Sequence, residues 1–303
     1  MSATVAETAA PVPVGREHVD RRFVTLRRLC KIRTAQVGML LVGLALLSAL
    51  AAPLLAPDGY SRQNLADKTR PPAWMEGGST DHLLGTDPLG RDVYARIIWS
   101  AQTSLGIAGA AVTIAMSVGV VLGLVCAYRG GWLDATVMRI AEAQLAFPYL
   151  LLAIAVMALL KPSLTNLLIV LSIRAWVIYA RTVRSQTLIL KQQEFVLAAT
   201  ALGASDTRII FRHLAPNFVS TVVVITSFQF AAMIVAESSL SFLGLGVQPP
   251  TPSWGGMLSQ GREYLTTAWW LGALPGVAIM LTVMGTNLLG DGLRDALDSR
   301  LTV

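Results

Sequence analysis

SLGIAGAAVTIAMSVGVVLGLVCA, residues 104–127, contains no charged side chain and is mostly apolar around its whole circumference. As an α-helix rising 1.5 Å per residue, this stretch extends about 36 Å. That length exceeds the hydrocarbon core of a bilayer, which is about 30 Å thick, so the stretch predicts a transmembrane helix.

Five further segments repeat this pattern: residues 37–56, 137–160, 164–185, 219–242 and 270–290. The chain is 54% hydrophobic and 14% charged, with a mean hydropathy of +0.59. A soluble domain of 303 residues cannot bury that much apolar surface. We therefore expect an all-α polytopic membrane protein with six transmembrane helices.

The first of these segments has features of a secretory signal, because basic residues precede it and Ala49, Ala51 and Ala52 resemble a cleavage site. Its apolar run, from Val37 to Ala56, is longer than the core of a usual signal peptide and long enough to cross a bilayer. We interpret the segment as an uncleaved membrane anchor.

Basic residues are concentrated on one side of the expected membrane. Seven of the 24 lysines and arginines lie between Arg16 and Arg33, which favours a membrane surface over nucleic acid as their partner. Four apolar residues at helical spacing predict an amphipathic surface helix within a tail of residues 1–35: Val19, Phe23, Leu26 and Cys30. Sixteen basic residues fall on the tail's side and seven on the other, so both termini are expected to be cytoplasmic.

Two connections between the segments are long. The outer connection, about 57–103, contains GTDPLGRD at residues 85–92, where Asp87 followed by Pro88 predicts the start of a helix. The inner connection, about 186–218, contains two helix-forming runs separated by Gly203. It predicts two short helices joined at that glycine.

The inner connection includes EFVLAATALGASDTRIIFRHLAPN, residues 194–217. Its alanines provide a small-residue surface on which another protein can pack closely, and Gly203 allows the chain to turn because glycine tolerates positive φ without strain. The alternative interpretation is an ordinary helix within a loop.

This string resembles the EAA loop of permease subunits in bacterial ATP-binding-cassette (ABC) importers. The general form of that loop is Glu-Ala-Ala, three residues, Gly, nine residues, then Ile-x-Leu-Pro. The positions that agree with this form are Ala198, Ala199, Gly203 and Pro216. The positions that depart from it are Leu197 in place of Glu, His213 in place of Ile and Ala215 in place of Leu.

Other strings resemble the second permease subunit of the peptide and nickel branch of this family: HLLGTDPLGRDVYARI from His82, YARTVRSQTL from Tyr179, ESSLSFLGLGVQPPTPSWG from Glu237 and PGVAIMLTVMGTNLLGDGLRDALDSR from Pro275. The resemblance implies a type I ABC importer permease fold over residues 36–303 and a location in the bacterial cytoplasmic membrane. It also implies the partners: a second homologous permease, two ATPases that bind ATP and Mg, and an extracytoplasmic substrate-binding protein.

The resemblance further implies that the inner loop docks on an ATPase through Glu194, Ala198, Ala199, Gly203, Ala204, Ser205, Arg208 and Pro216. The family takes up dipeptides, oligopeptides, nickel complexes and related solutes, and a peptide is expected here because peptides are the most frequent of these. An ion-coupled secondary transporter is the alternative, although such proteins normally show internal repeats and ionisable residues near the membrane midplane.

The chain has no GxxxxGK[ST] phosphate loop, so we expect neither a bound nucleotide nor a cofactor in this chain. Its histidines, His18, His82 and His213, are too scattered in sequence to predict a metal site. It offers no paired carboxylates and no nucleophile with a base, so we do not expect an enzyme.

Arg174 is expected about 15 Å into the fourth segment, where a charged side chain is costly unless it faces a partner or water. It either lines the transport path or forms a buried ion pair, for which Glu237 is the nearest candidate by depth. Two GxxxG pairs, Gly119 with Gly123 and Gly272 with Gly276, predict close helix packing.

Overall fold

The computed structural model describes residues 29–297, which form helices joined by turns and one long connection. The helices are α1 (Arg33–Leu50), α2 (Ala52–Leu55), α3 (Val93–Arg129), α4 (Gly131–Leu145), α5 (Tyr149–Leu160), α6 (Leu164–Lys191), α7 (Glu194–Ala201), α8 (Asp206–Arg208), α9 (Ala215–Phe242), α10 (Trp254–Gly261) and α11 (Trp270–Leu297). A π-helical turn, Ile209–Leu214, joins α8 to α9. The expected amphipathic helix around residues 19–30 lies almost entirely outside the described residues.

Five helices of the described chain are long and apolar enough to cross a membrane: α1, α3, α6, the continuous helix Asp206–Phe242 and α11. The pair α4 and α5 passes the same criterion when its two parts are counted as one span. The described residues therefore contain five candidate spans, or the expected six if α4 and α5 together form one broken span.

The prediction of one straight helix over residues 137–160 is wrong. α4 and α5 meet at an angle of 93°, and the break lies at residues 146–148. Pro148 explains the break, because proline has no N–H to donate and its ring disfavours helical geometry in the preceding residue, Phe147. The sequence remains apolar across the break, so hydropathy alone does not reveal it.

The outer connection is shorter than predicted, because α3 begins at Val93 rather than near residue 104. The predicted helix start at Asp87 and Pro88 is also wrong. Asp92 caps α3, its side chain accepting a hydrogen bond from the Ala95 N–H at 2.8 Å. The Asp87 carboxylate instead accepts a bond from the Arg91 N–H within a tight turn.

Close packing of α3 against α6 forms the centre of the bundle. A Cβ atom at Gly123 would lie 2.9 Å from the Ala180 Cα, and one at Gly119 would lie 2.6 Å from the Tyr179 Cβ. The predicted packing role of this glycine pair is confirmed. α9 packs against α3 and α11, and α1 packs along α11, where Gly38 approaches its backbone.

Candidate functional site

The EAA-like loop, residues 186–218, begins on the last turns of α6 and continues into α7. α7 ends with paired hydrogen bonds: the Ala204 N–H donates to the Ala199 carbonyl and the Gly203 N–H to the Thr200 carbonyl, both at 3.0 Å. Gly203 has a φ of +77°, the left-handed conformation that this helix termination requires. Two helices therefore meet at Gly203, as predicted.

The second half of the EAA-like loop is continuous with a membrane-spanning helix. Ser205 caps α8 by accepting a hydrogen bond from the Arg208 N–H at 3.4 Å. Pro216 is the second residue of α9 and directly follows the π-helical turn Ile209–Leu214. The helix from Asp206 to Phe242 is continuous, so α8 and α9 belong to one helix.

A small hydrophobic core fixes the EAA-like loop to the ends of α3 and α6. Its buried members are Leu124 of α3, Val183 of α6, and Val196, Ile209, Leu214 and Phe218 of the loop and the start of α9. The loop is thus packed against the ends of α3 and α6 through buried apolar side chains.

Polar contacts reinforce this packing. The Tyr128 hydroxyl, at the end of α3, donates to Asp206 Oδ1 at 2.7 Å. Lys191 Nζ donates to the Tyr128 carbonyl at 2.8 Å and lies 5.2 Å from the centroid of its ring. Arg184 of α6 makes two bonds to the Asp134 carboxylate of α4, at 2.5 and 2.6 Å.

Sequence reasoning did not identify these contacts. Tyr128 and Asp206 are 78 residues apart, and Asp134 and Arg184 are 50 residues apart. The sequence shows charge at the ends of the apolar segments, a pattern that indicates membrane orientation but not which side chains pair.

The solvent-exposed surface of the EAA-like loop contains most of the residues predicted for coupling. Its exposed members are Glu194, Ala198, Gly203, Ser205, Arg208 and Pro216, whereas Ala199 and Ala204 are half-buried. Leu202 is 88% exposed and Phe211 is 71% exposed on the same loop. Large apolar side chains grouped with small and charged ones are typical of a protein-binding surface.

Arg174 and Glu237 are not brought together in the structure. Glu237 is fully buried in α9, where its carboxylate accepts hydrogen bonds from Ser241 at 2.7 Å and Ser238 at 3.4 Å. The Arg174 guanidinium lies over the ring of Tyr149, 5.1 Å from its centroid. The ion pairs of residues 29–297 do not include one between these two side chains.

Residues 119–303, more than half of the chain, match the family model described as "Binding-protein-dependent transport system inner membrane component". The chain belongs to this family. Residues 24–72 match a second model, described as the N-terminal transmembrane domain of oligopeptide transport permease C.

Curated relatives align over most of their length with this permease. The dipeptide transport system permease protein DppC of Alkalihalophilus pseudofirmus is 42% identical over 275 residues, which cover 91% of this chain and 88% of that protein. The di/tripeptide permease DppC of Pseudomonas aeruginosa is 41% identical over 264 residues, or 87% of each chain. The glutathione permease GsiD of Pectobacterium atrosepticum is 42% identical over 275 residues, covering 91% and 90%.

These matches confirm the family resemblance found in the sequence. The chain has the type I ABC importer permease fold and is a multi-pass membrane protein. It is a permease component of an ABC importer, and an ion-coupled secondary transporter is not favoured.

Proposed function

We propose that this permease takes up short peptides as part of an ATP-driven importer, with a second homologous permease, two ATPases and an extracytoplasmic binding protein. The observation that carries the proposal is the EAA-like loop: a small-residue and apolar surface that is packed on a hydrophobic core and continuous with α9. Such a surface suits an element that transmits force from a partner.

In this proposal the EAA-like loop docks on an ATPase. Ala198 and Ala199 permit close approach, while Glu194 and Arg208 offer charges at the edge of the contact. Gly203 forms the turn that separates the two halves, with Ala204, Ser205 and Pro216 completing its shape. Leu202 and Phe211 would lose their exposure to water on docking, which favours association.

ATP and Mg are assigned to the partner ATPases, because the sequence of this chain has no phosphate-binding loop. The loop and both termini are assigned to the cytoplasm, and the connection 57–92 to the opposite side. The excess of basic residues on the loop's side supports this orientation.

The peptide substrate is supported by the relatives. The names of those relatives refer to dipeptides, di/tripeptides and glutathione, and all three denote small molecules built from amino acids. We therefore assign small peptides to this permease.

Uptake by the reconstituted transporter tests the proposal. Proteoliposomes containing all partners and ATP should accumulate radiolabelled dialanine, and proteoliposomes whose ATPases lack the phosphate-loop lysine should not. An ionophore that collapses ion gradients should leave uptake unchanged. Uptake driven by an ion gradient without functional ATPases would contradict the proposal and indicate a secondary transporter.

A further inference from the structure

A cavity of about 270 Å³ lies at the break between α4 and α5, with α6 forming its far wall. Most of the wall is apolar and includes Leu145, Phe147, Leu152, Ile173 and Ile178. The volume is near the lower limit of small-molecule sites, about 300 Å³. The cavity can therefore hold one end of a small solute.

Two polar side chains on this wall have unused hydrogen-bonding capacity. Arg174 Nη1 and the Tyr149 hydroxyl are buried, and neither has a hydrogen-bond partner within the described chain. No carboxylate among residues 29–297 forms an ion pair with Arg174. Because an unpaired guanidinium is costly in a membrane, the arrangement favours an anion that comes from outside the chain.

The wall around Arg174 is held in place by Gln144. Its Nε2 donates to the Ile173 carbonyl at 2.6 Å, and its Oε1 accepts from Trp176 Nε1 at 2.8 Å. These bonds join the end of α4 to α6 on both sides of Arg174 in sequence. These bonds hold the polar part of the cavity wall in position. α5 begins beside it at Tyr149, without a side-chain cap.

We propose that Arg174 and Tyr149 form a subsite for the terminal carboxylate of the transported peptide, an inference that rests on the proposed function. A guanidinium can donate two parallel hydrogen bonds to a carboxylate, and the phenol hydroxyl can donate a third. The apolar wall would contact the side chain of the last residue of the peptide.

The depth of the cavity argues against a lipid phosphate as its occupant. Arg174 is ten residues from the start of α6 at Leu164, about 15 Å along the helix axis. That is about half the thickness of the hydrocarbon core, so the guanidinium is far from both headgroup layers.

Photo-cross-linking in the complete reconstituted transporter tests the subsite. The probe is alanyl-p-benzoylphenylalanine, whose photoreactive group is on its carboxyl-terminal residue, and labelled sites are mapped by mass spectrometry. We expect wild type to be labelled within residues 144–152 and 170–178. Labelling should fall about tenfold in R174Q, the loss of about 1.4 kcal/mol of binding. It should be largely retained in R174K and reduced less in Y149F.

Each contrary result has a distinct meaning. Equal labelling of R174Q and wild type, with ATP-driven uptake intact, would overturn the subsite while leaving peptide import standing. Competition of the labelling by added phosphatidylglycerol would also overturn it in favour of a lipid phosphate. Absence of ATP-driven peptide uptake in wild type would overturn the proposed function itself. Co-purification of all partners with R174Q and R174K shows that both variants are folded.

Discussion

Arg96 Nη1 donates a hydrogen bond to Asp87 Oδ2 at 2.5 Å, at a place where the two residues are only 4% and 2% exposed. Asp87 also accepts a bond from Arg91 Nε at 2.6 Å, and Arg96 Nη2 donates to Gln260 Oε1 at 3.0 Å. These buried hydrogen bonds link the connection 57–92 to the start of α3 and, through Gln260, to α10.

Replacing Asp87 with asparagine should strongly destabilise the protein. The D87N variant leaves Arg96 buried without its counter-charge, a type of change that costs about 3–5 kcal/mol. Thermal unfolding of the detergent-solubilised protein measures the loss. The matched control is D58N, which breaks an Asp58–Arg62 pair whose side chains are both 73% exposed and should cost less than about 1 kcal/mol. Equal effects of D87N and D58N would contradict the network's importance.

Adding a methyl group at Gly123 should disrupt the packing of α3 on α6. The G123A variant places a Cβ 2.9 Å from the Ala180 Cα, and such overpacking costs about 1–3 kcal/mol. The control is G106A on the same helix, where no atom lies within 4 Å of the new Cβ. G106A should be neutral or slightly stabilising because alanine favours helix. The thermal unfolding temperatures of both variants check this prediction, and a neutral G123A would contradict it.

The number of crossings and their approximate positions could be predicted because hydropathy along the sequence reflects the thickness of the membrane. The break at Pro148 could not, since residues on both sides of it are equally apolar. The start of α3 at Val93 could not be predicted, because a charged residue such as Arg96 is typical of an aqueous loop. Its charge is instead neutralised by Asp87, nine residues earlier.

The Arg184–Asp134 contact should show measurable coupling in a double-mutant cycle. Arg184 is one-third exposed, so we expect a coupling energy of about 1 kcal/mol between R184A and D134A and not the larger value of a buried pair. Equilibrium unfolding in mixed micelles provides the four free energies. R181A, at an exposed position one turn earlier on α6, is the control and should be additive with D134A. Additivity of R184A with D134A would contradict the contact.

Removing the Tyr128 hydroxyl should weaken coupling without preventing assembly. The Y128F variant loses the hydrogen bond to Asp206, an exposed contact worth roughly 1 kcal/mol. This loss weakens the attachment of α8 to the end of α3. We expect peptide-stimulated ATP hydrolysis to fall several-fold while the ATPases still co-purify. Y60F is the control, because Tyr60 lies within the outer connection and packs on Trp99 of α3, away from the EAA-like loop. Unchanged peptide-stimulated ATP hydrolysis in Y128F would show that the Tyr128–Asp206 hydrogen bond is not needed for coupling.

The local structure of the EAA-like loop could be predicted from sequence, because alanine favours helix and glycine accepts the positive φ of the turn. The turn at Gly203 follows from that chemistry. The separation of Arg174 from Glu237 could not be predicted from the sequence. Two residues at similar depth in the bilayer need not lie on helix faces that meet. Glu237 finds hydroxyl partners on its own helix, and Arg174 faces the cavity at the break.

Peptide-stimulated ATP hydrolysis by the reconstituted G203D transporter tests the central claim most directly. Gly203 and Gly244 have φ angles of +77° and +78° with open space around them, so G244D imposes the same backbone change away from the loop. We predict that G203D inserts but loses stimulated hydrolysis and co-purifying ATPase by about tenfold or more, the equivalent of 1.4 kcal/mol in docking. G244D should retain both. Normal peptide-stimulated hydrolysis in G203D would contradict the assignment of the EAA-like loop as the coupling element.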